Sequence, residues 1–294
     1  MSQAKRLREM LRGQGMVIAP GAYDGITARL IDQAGFPAVY MTGAGTAAAA
    51  GYPDLGLVTM TEMVENAGRI AAVVGVPVIA DADTGFGTEL HAYRAVREFE
   101  RRGVAAIHIE DQEFPKRCGH LDGKQVVPAE EFVAKIRAAA AARLSPDFTI
   151  IARTDARATH GLDEAIARAN AALDAGADMA FVEAPQSAEE MEAIPRRVRG
   201  PCLLNVHRGG KTPNLDLRWA EEIGYKVAIV PGLLLRSVVG ICERMLDELK
   251  TTNRHPLPVR EFTTPELHDR LGRAEWDALR DRFKSGEAGR AAAE

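Results

Sequence analysis

Eight short apolar runs, separated by segments with helical spacing, constrain the fold of this 294-residue chain more than any other feature of its sequence. The alternation predicts a parallel sheet, because parallel strands need crossover connections that are usually helices. Eight such units within about 230 residues favour an α/β fold of the (β/α)8 TIM-barrel type over the alternative of an open doubly wound sheet. The predicted strands are residues 17–20, 38–42, 77–81, 105–110, 148–153, 179–183, 202–205 and 226–230.

The segments between these strands carry apolar residues at helical spacing. The predicted helices include residues 62–74, 89–102, 130–142, 163–175, 188–198 and 215–223. Residues 1–252 are therefore assigned to a barrel catalytic domain, and residues 253–294 to a linker and C-terminal helical extension. Within the extension, residues 264–284 have the pattern of one amphipathic helix, and its apolar residues, such as Trp276, suggest docking on a partner subunit.

Charge and hydropathy exclude several classes of partner. The formal net charge is −4, with charges of both signs interspersed, so nothing resembles a nucleic-acid-binding surface. No apolar run approaches the roughly 18 residues of a membrane span. The first residues are charged, unlike those of a secretory signal. We therefore expect a cytoplasmic protein with neither a nucleic-acid nor a membrane partner.

The three cysteines are far apart in the sequence and do not form a disulfide framework. Cys202 and Cys242 lie in apolar runs and are predicted to be buried. Cys118 alone has polar neighbours, in the segment PKRCGH at residues 115–120. Since adjacent cations favour the thiolate, this pattern predicts a reactive cysteine, and a solvated charged loop is the simpler alternative.

Polar side chains end most of the predicted strands. In a TIM barrel the active site lies at the C-terminal ends of the strands, so these side chains are expected to converge on one mouth. Residues two apart on a strand face the same side, so Asp81 and Asp83 can point inward together, as can His108 and Glu110. The polar residues at strand ends are Tyr40, Thr42, Asp81, Asp83, His108, Glu110, Arg153, Glu183 and Asn205.

A mouth that holds several carboxylates needs a cation, because buried charges are costly unless they are compensated. Oxygen ligands favour Mg²⁺, or Mn²⁺, over zinc. The alternative is that Asp81 and Asp83 cap a helix and that Glu183 forms an ion pair with Arg153. The segment TGAG at residues 42–45 either binds an anion through its backbone N–H groups or is a flexible turn.

Six motifs form a recognisable series along the chain. They are YMTGAG at 40–45, PDLG at 53–56, DADTGFG at 81–87, HIEDQ at 108–112, KRCGH at 116–120 and ARTD at 152–155. The series resembles the isocitrate lyase and phosphoenolpyruvate mutase superfamily, most closely its 2-methylisocitrate and 2,3-dimethylmalate lyase branch, over residues 5–284. The resemblance implies a barrel whose last helix is exchanged between subunits, a homotetramer built as a dimer of dimers, and a small-molecule carboxylate substrate.

The resemblance also implies roles for individual residues. Asp81 would bind Mg²⁺ directly, and Asp54, Asp83 and Glu110 would hold it through water. The residues implied to hold the α-keto-acid half of the substrate are Tyr40, Thr42, Gly43, Ala44 and Arg153, and those implied for the second half are Glu183 and Asn205. Cys118 would lie on a mobile loop that closes over the substrate, and the further catalytic residues of that loop are Lys116, Arg117 and His120.

The implied reaction is a reverse Claisen cleavage of a 2-hydroxy di- or tricarboxylate, of the methylisocitrate or dimethylmalate type, to pyruvate or glyoxylate and a second carboxylate. Mg²⁺ and Arg153 would stabilise the oxyanion, and Cys118 would protonate the carbanion. Lys116 and Arg117 oppose this role by favouring the thiolate, unless loop closure desolvates the thiol. The base is left open between Tyr40 and a metal-bound hydroxide.

Two departures from the methylisocitrate lyase pattern bear on the substrate. Residues 206–208 are Val, His and Arg where those lyases carry Thr and Glu after the asparagine, and Ala44 replaces a glycine. Arg208 either pairs with a substrate carboxylate or is a rim residue. These differences leave the class of reaction unchanged.

Other activities of the superfamily share the metal site. Oxaloacetate decarboxylase and the phosphonate mutases lack the KRCGH loop that this chain carries, whereas an oxaloacetate hydrolase is compatible with it. A non-catalytic ligand-sensing barrel would be expected to have lost some of the acids or the thiol, and all of them are present. The sequence therefore favours the lyase.

Overall fold

The computed structural model describes residues 1–213 and 216–284. Its strands are β1 Val17–Ala22, β2 Val39–Met41, β3 Val78–Asp81, β4 Ala106–Glu110, β5 Thr149–Thr154, β6 Met179–Val182, β7 Cys202–Asn205 and β8 Tyr225–Val230. They close into a parallel barrel in chain order, and β8 is hydrogen-bonded to β1. The predicted TIM barrel is confirmed and the open sheet is excluded, because closure leaves no free strand edge.

Helices follow the strands around the barrel. They are α1 Gln3–Arg12, α2 Gly25–Gln33, α3 Gly43–Ala49, α4 Met60–Ala71, α5 Glu89–Arg101, α6 Ala129–Ala142, α7 Ala156–His160, α8 Leu162–Asp174, α9 Ala188–Arg197, α10 Leu217–Glu222, α11 Leu233–Thr252, α12 Thr264–Arg270 and α13 Arg273–Lys284. The predicted helical segments correspond to α4, α5, α6, α8, α9 and α10, although the start of the last, at Leu215, lies outside the described residues. Among the helices so described, none is long and apolar enough to cross a membrane.

Alternate residues of each strand pack into different parts of the core. Ile79 and Ile151 belong to a cluster drawn from strands all around the barrel, which is its interior, whereas Ile150 packs in a second cluster with residues of the surrounding helices. Since the side-chain period of a strand is two, Asp81 and Arg153 also face the interior, one step nearer the C-terminal end. The alternation of side chains predicted from the sequence therefore places these polar groups at one mouth of the barrel.

The chain divides into two compact units, residues 1–237 and the residues from Val238 onward. The second unit contains the rest of α11 together with α12 and α13, and none of these helices has a buried residue. The single helix predicted for residues 264–284 is wrong. Gly272 has a φ of 86°, a left-handed conformation that interrupts a right-handed helix between Arg270 and Arg273. The domain boundary predicted at residue 252 stays a prediction.

The cysteines differ in exposure. Cys202 on β7 is buried, as predicted, and Cys118 is half-buried. The prediction that Cys242 is buried is wrong, because its apolar neighbours lie on α11, whose described residues all retain solvent exposure. Three thiols in three environments allow Cys118 to be studied selectively.

Candidate active site

A cavity of about 230 Å³ opens at the C-terminal ends of the strands. It brings together side chains from β2, β3, β5 and β7 and residues of the segments that follow strands β2, β4, β6, β7 and β8. Its lining residues are Tyr40, Thr42, Ala44, Asp54, Asp81, Cys118, Gly119, His120, Arg153, Glu183, Asn205, His207, Pro231, Gly232, Leu235 and Arg236. Most residues implied by the resemblance therefore share one cavity, and their individual roles remain predictions.

Six of the predicted site residues do not line this cavity. Asp83, Glu110 and Lys116 are buried beside it, and each pairs with another charged residue of the site. Arg117 and Arg208 are exposed. Gly43 is buried against Asp81, and a Cβ there would clash with that carboxylate, so the position requires glycine.

The carboxylate of Asp81 is fixed at the mouth by two backbone hydrogen bonds. Its Oδ1 accepts a hydrogen bond of 2.9 Å from the backbone N–H of Asp83, and its Oδ2 accepts one of 3.2 Å from Gly43. Burial alone would raise the pKa of Asp81, but His108, Lys116 and Arg153 hold it at about 2. Asp81 is therefore ionised.

Two other buried acids that were predicted to hold the metal, Asp83 and Glu110, behave differently from Asp81. Burial raises the pKa of Asp83 to about 6, in spite of the nearby Lys116 ammonium. Burial likewise raises the pKa of Glu110 well above its ordinary value, although Arg153 opposes it. Each would be stabilised as a carboxylate by additional positive charge.

The segment at residues 42–45 begins helix α3 and is not a flexible turn, whereas its binding of an anion stays a prediction. Thr42 is the N-cap of α3, and its hydroxyl accepts a hydrogen bond of 3.3 Å from the backbone N–H of Gly45. Glycine is a poor helix former. Here Gly43 lets the first turn of α3 approach Asp81 closely, and Gly45 lies against Thr42 and Tyr23.

Carboxylate oxygen atoms from several acids at this mouth can coordinate a hard divalent cation. Lys116 occupies part of the acid cluster, where its Nζ bonds to Asp54 and lies 2.7 Å from Oδ1 of Asp83. Within residues 1–213 and 216–284, no three His, Cys, Asp or Glu side chains form a ready-made metal cluster. Buried Oε1 of Glu110, however, has no hydrogen-bond partner among the described residues. That unpaired oxygen and the all-oxygen donor set fit Mg²⁺, which keeps several waters and needs few direct protein ligands.

Arg153 is the fixed cation of the site. Its Nε lies 3.0 Å from Oδ2 of Asp155 and 3.2 Å from Oε2 of Glu110, and its Nη2 lies 3.4 Å from Oε2 of Glu183. The ion pair between Glu183 and Arg153 that the sequence left as an alternative is therefore present. Both residues also line the cavity, so the pair does not exclude a role in substrate binding.

Tyr40 and His108 form a buried pair beside Asp81. The Tyr40 hydroxyl lies 2.8 Å from Nε2 of His108 and 3.4 Å from Oδ2 of Asp81. Burial lowers the pKa of His108 to about 4, so its imidazole is neutral. The strand pattern predicted that His108 points inward, but its contact with Tyr40 joins two strands and is not readable from the sequence.

The thiol of Cys118 is protonated rather than ionised. Burial raises the pKa of Cys118 above its ordinary value. Of the two opposing effects expected from the sequence, desolvation prevails over the neighbouring cations, because the Lys116 ammonium is directed at Asp54 and Asp83 while Arg117 is exposed. Desolvation by the loop outweighs the sequence neighbours.

Residues 113–124, which we call the Cys118 loop, are held against the mouth. The side-chain amide of Gln112 exchanges two hydrogen bonds of 2.9 Å with the backbone of Arg117. A Cβ at Gly119 would lie 2.6 Å from Nη2 of Arg153 and from Cγ of Glu183, so the loop backbone rests directly on the site. The loop is in a closed position.

His120 connects this loop to the segment after β7. Its ring stacks on that of His207 with centroids 4.4 Å apart, and its Nδ1 accepts a hydrogen bond of 3.2 Å from the backbone N–H of Lys211. Burial lowers the pKa of both imidazoles to about 4. His120 is therefore neutral and lies 3.3 Å from Nδ2 of Asn205.

The sequence did not identify Arg236, which lines the far side of the cavity. Its Nη2 lies 2.7 Å from Nε2 of His207, and its Nη1 donates a bond of 2.6 Å to the carbonyl oxygen of Arg208. Because a guanidinium can only donate, His207 must accept. In the sequence, Arg236 is a lone arginine in the apolar run after the last strand, and this position could have indicated a functional residue.

The family model of phosphoenolpyruvate phosphomutase matches residues 7–250 of the chain. The 2,3-dimethylmalate lyase of Eubacterium barkeri is 51% identical over 232 residues, which cover 79% of this chain and 80% of that protein. The chain belongs to the phosphoenolpyruvate mutase/isocitrate lyase superfamily. The resemblance seen in the motifs is thereby confirmed.

One further relative and two solved structures show which members of this superfamily the chain is similar to. The 2-methylisocitrate lyase of Aeropyrum pernix is 43% identical over 268 residues, covering 90% of this chain and 86% of that one. A crystal structure of 2,3-dimethylmalate lyase matches with a TM-score of 0.92, 40% identity and coverage of 97% and 96%. A structure of oxaloacetate acetylhydrolase with 3,3-difluorooxalacetate matches with a TM-score of 0.91, 38% identity and coverage of 99% and 98%. The chain described here is therefore a carbon–carbon lyase of this superfamily.

Proposed function

We propose that this chain is a Mg²⁺-dependent lyase that cleaves a 2-hydroxy di- or tricarboxylate, of the methylisocitrate or dimethylmalate type, by reverse Claisen chemistry. The products are an α-keto acid, pyruvate or glyoxylate, and a second carboxylate. One observation carries the proposal. The Cys118 thiol lines the same cavity as Asp81 and Arg153 and is kept protonated by burial, as a proton donor must be.

The keto-acid half of the substrate fits the inner end of the cavity. Asp81, with Asp54, Asp83 and Glu110 around it, would hold Mg²⁺ there, and the ion would supply a Lewis acid for the oxygen that becomes negative. Arg153 adds a guanidinium whose orientation is set by Asp155 and Glu110. Tyr40, oriented by His108, presents its hydroxyl to the same end.

Proton delivery falls to Cys118. The C2 hydroxyl gives its proton to a base, either Tyr40 or a hydroxide in the cavity, and its oxygen becomes the carbonyl oxygen of the keto acid as the C2–C3 bond breaks. The electron pair of that bond passes to the leaving half, and the thiol proton moves to that carbon. Closure of the loop excludes water, which would otherwise compete as a proton source. The thiolate left behind recovers its proton from solvent after the loop opens.

The outer end of the cavity suits a second carboxylate. Arg236 makes its two side-chain hydrogen bonds to neutral groups, the His207 ring and a carbonyl oxygen, so its charge is available to an anion. Asn205 and Glu183, which hydrogen-bond to each other at 3.1 Å, line the wall beside it. Arg208, which the sequence left open between a substrate contact and a rim position, lines a neighbouring cavity, whereas Arg236 lines this one.

A coupled assay of keto-acid release with Mg²⁺ tests the proposal on methylisocitrate, dimethylmalate, isocitrate and oxaloacetate. We expect one hydroxy acid to be cleaved, with release of pyruvate or glyoxylate. Consumption of oxaloacetate alone would contradict the lyase and favour an oxaloacetate hydrolase, an alternative supported by the similarity to oxaloacetate acetylhydrolase. An oxaloacetate decarboxylase would release pyruvate from oxaloacetate, and a phosphonate mutase would act on none of the four acids.

The assembly and location belong to the same proposal. We infer a homotetramer, a dimer of dimers, in which helices of the C-terminal extension pack on a neighbouring subunit. Exposed apolar side chains on these helices, such as Trp276 and Phe283, support it. A cytoplasmic location is inferred from the sequence and the small carboxylate substrate.

A further inference from the structure

Lys124 is a buried lysine at the end of the Cys118 loop, and the proposed chemistry gives it no role. Its Nζ donates to the carbonyl oxygen of Gly119 and lies 3.1 Å from Oδ1 of Asp155. Only 1% of its side chain is exposed. Because breaking a buried charged pair leaves a charge without compensation, release of this ammonium is unfavourable.

Asp155 joins the loop to the arginine of the active site. Its carboxylate accepts hydrogen bonds of 3.0 and 3.3 Å from Arg153, and its backbone N–H donates a bond of 2.8 Å to Asp111. Burial alone would raise the pKa of Asp155, but Arg153 and Lys124 hold it below its ordinary value. One ionised carboxylate therefore holds both cations.

We propose that Lys124 and Asp155 form a latch that keeps the Cys118 loop closed, which makes Lys124 a positioning residue for the thiol. The proposal rests on the role of Cys118 as proton donor. Gly119 follows Cys118 directly, so a bond that fixes the Gly119 carbonyl also fixes the place of the thiol. Retreat of the loop breaks the bond from Lys124 to Gly119 or its pair with Asp155.

Other contacts of the loop do not replace this one. Gln112 and Lys116 hold the first half of the loop through Arg117, Asp54 and Asp83. In the second half, the neutral His120 stacks on His207 and accepts a hydrogen bond from the backbone of Lys211, but neither contact is charge-assisted. Lys211 also pairs with Asp122 at 2.5 Å, but Asp122 is 93% exposed and such pairs contribute little. Lys124 supplies the buried charged contact there.

Chemical labelling of Cys118 measures opening of the loop without any substrate. In a Cys242→Ser background, iodoacetamide reports on Cys118, since Cys202 is buried. The test compares the parent with Lys124→Met and with Lys135→Met as a matched control. Lys135 is also buried and pairs with an acid, Glu131 at 3.6 Å, but it lies on α6.

We expect Lys124→Met to label Cys118 about tenfold or more faster than both the parent and the control, because a charge-assisted hydrogen bond to the loop is lost. Lys124→Gln keeps a donor for the Gly119 carbonyl and is expected to label at an intermediate rate. The labelling rates are measured at several pH values. A more open loop raises the limiting rate at high pH, where the thiol is fully ionised. A change in the thiol pKa alone shifts the pH profile and leaves that limiting rate unchanged.

A Lys124→Met rate equal to those of the parent and Lys135→Met overturns the latch. If Lys124→Met has no cooperative thermal transition, Lys124→Gln decides, since faster labelling supports the latch and an unchanged rate overturns it. The labelling needs no turnover. A parent that labels as expected but releases no keto acid therefore contradicts the proposed function and leaves the latch standing.

Discussion

Nζ of Lys116 lies 2.7 Å from Oδ1 of Asp83, and both side chains are buried. This ion pair joins the Cys118 loop to the acids assigned to the metal, since Lys116 is two residues from the thiol and also bonds to Asp54. In the position that the structure shows, the loop therefore places a positive charge in the acid cluster and the Cys118 thiol at the mouth.

Replacing Lys116 by Met should reduce kcat by about 100-fold, because removal of one partner of a buried pair costs about 3–5 kcal/mol and weakens loop closure. Lys135, which is also buried and pairs with Glu131 on α6, serves as the matched control outside the site. Lys135→Met should retain most of the activity. Steady-state kinetics with the cleaved hydroxy acid check this, and equal losses in the two variants would show that the buried pair has no special role.

Activity should decline on the alkaline side as Cys118 loses its proton. Burial raises the pKa of Cys118, so the protonated form persists above the ordinary cysteine value of about 8.5. Below the raised pKa the donor is intact, and above it kcat should fall about tenfold per pH unit. A pH profile of kcat checks this prediction, which fails if the decline begins below the ordinary cysteine pKa.

Mg²⁺ should stabilise the parent protein and not Asp81→Asn. A ligand at about 100 times its Kd adds about 2.7 kcal/mol to the free energy of unfolding, a rise of about 5 °C or more in Tm. Glu192→Gln, which removes a surface carboxylate paired with Arg196 on α9, is the control and should respond like the parent. Thermal unfolding with and without Mg²⁺ measures this, and an equal rise in Asp81→Asn would place the ion elsewhere.

The full chain should sediment as four copies of 31.7 kDa. Trp276 is exposed on α13, and its replacement by Asp should lower the assembly state because a buried charge would oppose packing on a neighbour. Asp277→Asn on the same helix is the control. Sedimentation equilibrium decides between these outcomes, and a monomeric parent would contradict the proposed tetramer.

Much of the barrel and its mouth could be predicted from the sequence because strand geometry is local. A period of two places Asp81 on the same side as Ile79, and Arg153 on the same side as Ile151. Parallel strands then bring the two polar groups to one end. Asp54 lies in a loop and was reached only through the family motif.

Contacts that depend on burial or on distant segments could not be predicted. The neighbours of Cys118 in the sequence indicated a thiolate, but desolvation in the folded chain determines its pKa. Arg236 reaches His207 from a helix 29 positions further along the chain. A single glycine, Gly272, breaks a helix whose apolar pattern continues across it.

The most direct test of the account is keto-acid release by Cys118→Ser compared with the parent, on the hydroxy acid that the parent cleaves. A serine hydroxyl fills the same place but is a far weaker acid than a thiol. We expect the variant to bind Mg²⁺ as the parent does and to lose nearly all cleavage. A Cys118→Ser enzyme that cleaves the same acid at the parent's rate would contradict the assignment of Cys118 as the proton donor.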